Sequence, residues 1–272
     1  MRIRQIIIES LKMPFTDFKA FLVVYLLMFS CEILSYILRL LPVDDYYLGW
    51  FILKTVVSLM MLGISMNIVQ KVVFGKSLHF NIKHHLVEGF NEYVLTLYYI
   101  LIPSLLSILL LGPTGLYFNV IHVYEYILDM DINVASSTVM ELLHFLPESM
   151  NINLYHSIQL HLLITLFLFV LFTSFSYIGR ILMFKFGSLK VACDLRIILR
   201  VVRKMGYGHF MKFVLIFTLI VVVVVNFLIY LDIFIDDVFI SAFFEVFLLL
   251  FSSNSFYKLF FNADMELFKK SE

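Results

Sequence analysis

Two pairs of histidine and glutamate, each three residues apart, are the side chains whose types and spacing could do chemistry: His122 with Glu125 in HVYE, and Glu141 with His144 in ELLH. On a helix a three-residue step puts both groups on one face, where an imidazole and a carboxylate can ligate a divalent metal. His156 and His161 follow, and His84, His85 and Glu88 in HHLVE repeat the pattern earlier in the chain. None of these belongs to a specific metal motif, and an acidic loop is more often simply solvated. The chain has no glycine-rich phosphate loop, His-Glu-x-x-His helix, Gly-x-Ser-x-Gly elbow or Cys-x-x-Cys pair. It is therefore expected not to be an enzyme and to carry no cofactor.

A second group of candidates lies inside long apolar runs, where an ionisable or amide side chain is costly and is by default a functional hypothesis. These are Glu32, Lys54, Asn226 and Glu245. Counted from the outer ends of their runs at 1.5 Å per residue, they lie roughly 8–14 Å deep, all in the outer half. Glu32 is the natural partner of Lys54, with Glu245 competing. They would line a polar cavity open to the outside; alternatively they form a structural ion pair, with Lys54 snorkelling and Asn226 joining one helix to another.

The elements that must position these residues are set by composition. Of 272 residues 62% are hydrophobic and 15% charged, with 30 phenylalanines, far more apolar than a soluble domain. Runs of about 20 mostly apolar residues can cross a hydrocarbon core. They predict six spans near 18–41, 47–74, 93–111, 161–186, 213–231 and 238–261; the clearest is FVLIFTLIVVVVVNFLIYL. The expected fold is thus all-α, a polytopic membrane protein in one membrane domain. Its first half is 1–111, an acidic outer loop covers 112–153, and its second half is 154–272.

Lysine and arginine near span ends set orientation. Arg2, Arg4, Lys12 and Lys19 precede the first span, Lys71, Lys76 and Lys83 follow the second, and eight basic residues from Arg180 to Lys212 lie around the fourth connection. The alternate connections hold Asp44 and Asp45, then Glu125, Asp129, Asp131, Glu141 and Glu148, then Asp232, Asp236 and Asp237, without a lysine or arginine. Both termini are therefore predicted in the cytoplasm and the protein in the plasma membrane. The N-terminus lacks a signal-peptide pattern and reads as an interfacial helix. Within the outer loop Thr138 and Glu141 form a capping box, and Pro147 is expected to end the short helix it starts.

The segment FGSLKVACDLRIILRVVRKMGYGHF concentrates positive charge. Val191, Leu195, Ile198, Val202 and Met205 recur at helical steps, with Lys190, Arg196, Arg200, Arg203 and Lys204 as the basic complement. Such a helix settles in the headgroup plane, its charges drawn to anionic lipid on the cytoplasmic side. No aromatic residues interleave with the charges, so nucleic acid is not expected as a partner. A similar layout, FGKSLHFNIKHHLVEGFNEYV, follows the second span, with Leu78, Ile82, Leu86 and Phe90 at helical steps. The two read as a degenerate internal repeat of span, cytoplasmic amphipathic helix and span. Gly75, Gly89, Gly187 and Gly206 would take helix-closing conformations.

The order of PFTDFKAFLVVYLLM, GKSLHFNIKHHLVEGFNEYVLTLYYILIP and LRIILRVVRKMGYGHFMKF resembles the archaeal membrane proteins grouped as domain of unknown function 4013, over residues 14–230. His79 follows Leu78 where that family commonly has proline. The resemblance implies an archaeal cell-membrane protein. It implies no activity and no functional residues.

The expected function is a small-solute transporter or binding protein with an outward-facing polar cavity. The alternative is a structural or assembly factor that organises lipid or a partner protein through its basic helices and outer loop.

Overall fold

The computed structural model describes residues 3–16, 82–129, 146–234 and 238–261, with parts of two helical stretches at 18–33 and 55–70. Every regular element among them is α-helical: α1 (Ile3–Thr16), α2 (Ile82–Leu109), α3 (Leu116–Asp129), α4 (Glu148–Phe186), α5 (Leu189–Ala192), α6 (Leu195–Met205), α7 (Tyr207–Phe234) and α8 (Val238–Phe261).

Four of these, α2, α4, α7 and α8, are long and apolar enough to cross a membrane. They correspond to the third to sixth predicted spans, α2 ending two residues short of the third at Leu109; most residues of the first two spans lie outside the described ones. α7 shows why length and composition suffice. Its only side-chain amide is Asn226, and Leu215, Leu219, Val222, Val223, Phe227 and Ile229 are exposed along its length. So much outward apolar surface is unfavourable in water and neutral against lipid.

Two helices begin earlier than the apolar runs indicate. α2 starts at Ile82, eleven residues before the expected span, and runs unbroken through Gly89 and Pro103. Gly89 is thus inside a helix and closes none, so from Ile82 onward the first copy of the expected repeat has no separate surface helix. The residues before Ile82, with Gly75 and Leu78, lie outside the described residues. α4 starts at Glu148, directly after Pro147, whose carbonyl accepts from the Asn151 amide. Pro147 therefore opens a helix, as its fixed φ and missing N–H suit it to do. The capping box of Thr138 and Glu141 lies outside the described residues.

The chain forms two compact units, one of residues 1–98 with 174–272 and one of residues 99–173, and α2 and α4 each contribute to both. In the first, α1 packs on α8. Ile6, Ser10, Met13 and Pro14 recur at helical steps and are buried, Asn254 Nδ2 donates to Ser10 Oγ at 3.5 Å, and Lys258 pairs with Glu9. An aromatic core joins α4, α7 and α8: Tyr177 stacks on Phe256 with ring centroids 4.7 Å apart, and Phe213 and Phe217 meet Phe256 edge-on at 5.1 Å. The stretch 55–70 touches α2 backbone to backbone. A Cβ on Gly63 would lie 1.8 Å from the His85 carbonyl oxygen, and one on Gly89 would lie 1.9 Å from that of Leu59. Only glycine permits this approach.

The connection from α4 to α7 turns on its glycines. Gly187 ends α4 at φ 63° and Gly206 ends α6 at φ 84°. Asp194 caps α6, its carboxylate accepting from the Arg196 amide at 2.9 Å. Ile198, Val201 and Val202 of α6 are buried, while Arg196, Arg200, Arg203 and Lys204 are exposed. Val201 belongs to the buried face, which is covered by protein, since α6 packs on α7 and α8.

Candidate functional site

On α2, His84, Glu88, Glu92 and Thr96 follow one another at four-residue steps and form a polar stripe along a largely apolar helix. At its centre the Glu92 side chain has no exposure to solvent, and it pairs with Arg180 of α4, whose side chain is 12% exposed. Isolated, either charge would be very costly there; each stays only because the other is present.

The pairing is one-sided. Arg180 Nε donates to Glu92 Oε1 at 2.7 Å, and Arg180 Nη2 donates to that same oxygen. Thr96 Oγ1 also approaches Oε1, at 3.4 Å. Glu92 Oε2 is buried and has no hydrogen-bond partner among the described residues. A guanidinium set as a fork against a carboxylate would engage both oxygens; this arrangement leaves one of them with its lone pairs. The other face of Arg180 lies over the Tyr177 ring, 5.0 Å from its centroid, and Tyr177 is backed by Phe256. Arg180 is thereby held between a carboxylate and the aromatic core.

One turn towards the start of α2 the pattern recurs. Gln70 Nε2 donates to Glu88 Oε1 at 2.9 Å, and His84 Nε2 lies 3.2 Å from that oxygen. Glu88 Oε2 is likewise buried without a partner among the described residues. The crossing at Gly63 and Gly89 brings the helix bearing Gln70 against this part of α2. The stripe therefore combines two carboxylates, each with one oxygen engaged, and one guanidinium, in surroundings that include the hydroxyl of Thr96.

A smaller polar group lies in the second unit. Ser107 Oγ is 3.2 Å from His161 Nε2 and 2.8 Å from Thr165 Oγ1, and Thr114 Oγ1 is 3.3 Å from His161 Nδ1. Thr114 donates its hydroxyl proton to the Leu110 carbonyl at 2.8 Å, so towards His161 it acts as acceptor and the proton of a neutral imidazole is placed on Nδ1. His161 is thus tied on both ring nitrogens to hydroxyls of its own bundle.

The candidates expected from sequence are distributed differently. Glu32, Lys54, Glu141 and His144 lie outside the described residues. Asn226 is exposed on α7, and its Nδ2 donates to the Val222 carbonyl one turn back in its own helix at 2.8 Å. Its amide is satisfied locally, as short polar side chains in helices can be. Glu245 is exposed on α8, and His122 and Glu125 are exposed on α3. Among the described residues no three histidine, cysteine, aspartate or glutamate side chains gather as a metal-holding group. Lys190 is exposed beside α6, like the basic residues of that helix.

The Glu92–Arg180 pair is hidden in the sequence because Glu92 stands just ahead of the predicted span and Arg180 falls among the cytoplasmic charges. The signal was present in SFSYIGRILMF, where Arg180 stands within an apolar run, seven residues before the glycine that ends the helix. No protein-family model matches the chain, and no curated protein or solved structure is found similar to it.

Proposed function

We propose that the chain is a non-enzymatic, multi-pass integral membrane protein that binds or passes a small solute at the polar stripe of α2. Six spans and cytoplasmic termini in the plasma membrane are part of this reading, resting on the loop charges, as is kinship with the archaeal family named above. The observation that carries the functional part is the Glu92–Arg180 pair. A buried charge pair within membrane-length helices costs several kcal/mol of desolvation per ion and is usually no more stabilising than apolar packing, so a binding role explains its presence better than stability does. Glu92 lies about 15 Å along α2 from Ile82 and Arg180 about 9 Å from the end of α4; on the reading with a cytoplasmic N-terminus the site is then nearer the inner face than the outer cavity expected from Glu32 and Lys54.

Accessibility tests this reading. In a variant lacking the native cysteines, Thr96→Cys in membrane vesicles should react with a small cationic methanethiosulfonate, and the reaction should slow when Glu92→Gln is added. A Thr96→Cys thiol that stays unreactive would show a dry site and overturn the reading.

A second reading, a factor that organises anionic lipid or a partner protein, is favoured by one observation: Arg196, Arg200, Arg203 and Lys204 are exposed while the opposite face of α6 is covered. Interfacial placement of α6 belongs to this reading. Reversal of the four charges would then reduce binding to vesicles containing anionic lipid, or capture of the partner, with Thr96 dry.

A further inference from the structure

We infer that the outward face of α6 binds anionic phospholipid of the surrounding bilayer, with Arg196, Arg200, Arg203 and Lys204 on the headgroup phosphates and Leu199 among the upper acyl chains. The inference deepens the second reading above by committing its partner to lipid, and it does not depend on the stripe of α2.

Three observations carry it. The first is the distribution of charge. No lysine or arginine occurs between Lys83 and Arg180, and eight then fall from Arg180 to Lys212 against one acid, Asp194. That acid is held at the start of α6, where its carboxylate accepts from the Arg196 amide. The connection is therefore strongly cationic, and an anionic partner complements it.

The second is the arrangement on α6. At 3.6 residues per turn Arg196, Leu199, Arg200, Arg203 and Lys204 fall on one arc, and all five are exposed. Ile198, Val201 and Val202 fall on the opposite arc and are at most 2% exposed, on the helix that packs against α7 and α8. Leu199 is 45% exposed amid the cations, and Tyr207, one residue past Gly206, is 56% exposed. An aliphatic and an aromatic side chain beside guanidinium groups suit the boundary between headgroups and acyl chains, where each finds its own phase. Guanidinium forks also match phosphate oxygens and are weakly hydrated.

The third is tethering. Gly187 ends α4, and Gly206 alone separates α6 from α7. Since α4 and α7 are long and apolar enough to cross a membrane, α6 is held within a few residues of two span ends. Lipid headgroups are already at that level in high local concentration, whereas a soluble acidic protein must be recruited to it.

The test uses the full-length chain, with Cys31 and Cys193 replaced by serine, in phosphatidylcholine nanodiscs that contain phosphatidylglycerol. A bimane is attached at Leu199→Cys, and either the phosphatidylglycerol or an equal amount of phosphatidylcholine is brominated in the upper acyl chain. Bromine quenches only a fluorophore it touches. Brominated phosphatidylglycerol should quench more strongly, with a local enrichment of about fivefold for each charge that engages a headgroup. The preference should fade as salt is raised. Changing Arg196, Arg200, Arg203 and Lys204 together to glutamine should bring the two lipids level; all four are exposed, so Tm should stay that of the parent. A bimane at Leu163→Cys, 68% exposed on α4 in the stretch without lysine or arginine, should be quenched alike by both. Equal quenching at Leu199→Cys, or a preference unchanged in the four-glutamine variant, would overturn the inference. Absence of quenching by either lipid would also overturn it and leave the second reading with a protein partner. The reactivity of Thr96→Cys, which decides the solute site, is independent of all these outcomes.

Discussion

Replacing Gly89 with alanine puts a methyl group 1.9 Å from the Leu59 carbonyl oxygen, where ordinary Cβ atoms come no nearer than about 3.0 Å. The obstacle is backbone, with no flexible side chain to swing aside, so the stretch 55–70 and α2 must part by at least about 1.1 Å. A gap of that size forfeits up to half of the dispersion attraction across the crossing, and overpacking of this kind costs about 1–3 kcal/mol. Alanine recovers up to about 1 kcal/mol as the better helix former. The net loss reaches about 2 kcal/mol, a fall in Tm of roughly 4–8 °C for a chain of this size. Gly63→Ala meets the His85 carbonyl at 1.8 Å and should cost as much. Once one alanine has separated the helices the second has less to displace, so the double variant should lose clearly less than the sum of the two. Thermal unfolding in detergent, followed by circular dichroism, measures all three. Alanine at either glycine leaving Tm unchanged or higher would refute the close crossing, and strictly additive losses would refute a shared one.

Glu92→Gln should strand the Arg180 charge and cost about 3–5 kcal/mol, whereas Glu92→Leu with Arg180→Leu should regain most of that loss in the same unfolding assay. Asp194→Ala removes the acceptor for the Arg196 amide and should destabilise the start of α6 by about 1 kcal/mol, seen as faster hydrogen exchange at Arg196 and unchanged exchange in α8. Burial pushes the Cys193 thiol above its ordinary pKa, so less of it is thiolate near neutral pH; its alkylation should be slow there, and its rate should level off at a higher pH than that of a free cysteine.

Residues that act through composition and local periodicity were legible in the sequence. α7 follows from an apolar run that contains every residue of its middle, and the alternation of α6 follows from Ile198 and Val202 against Arg196, Arg200 and Arg203. The glycines at 187 and 206 were legible as helix ends for the same reason. What depends on a distant partner was not. The polar start of α2 reads as a surface helix separate from the span because His84, Glu88 and Glu92 are tolerated in a membrane-length helix only when Gln70 and Arg180 meet them, and those lie 18 residues from Glu88 and 88 from Glu92 in the chain. Gly89 reads as a helix terminator until Leu59 is seen against it. Asn226 reads as a contact between helices, yet its amide is satisfied one turn back.

The proposed site requires that α4 cross the bilayer with Arg180 towards its cytoplasmic end. With Cys31 and Cys193 replaced by serine, single cysteines at Asn153, near the start of α4, and at Ser188, just beyond its end, should be labelled in intact cells by a membrane-impermeant maleimide. Asn153→Cys alone should be labelled, with Ser188→Cys reacting only after the cells are opened. Labelling of both from outside, or of Ser188→Cys alone, would contradict it.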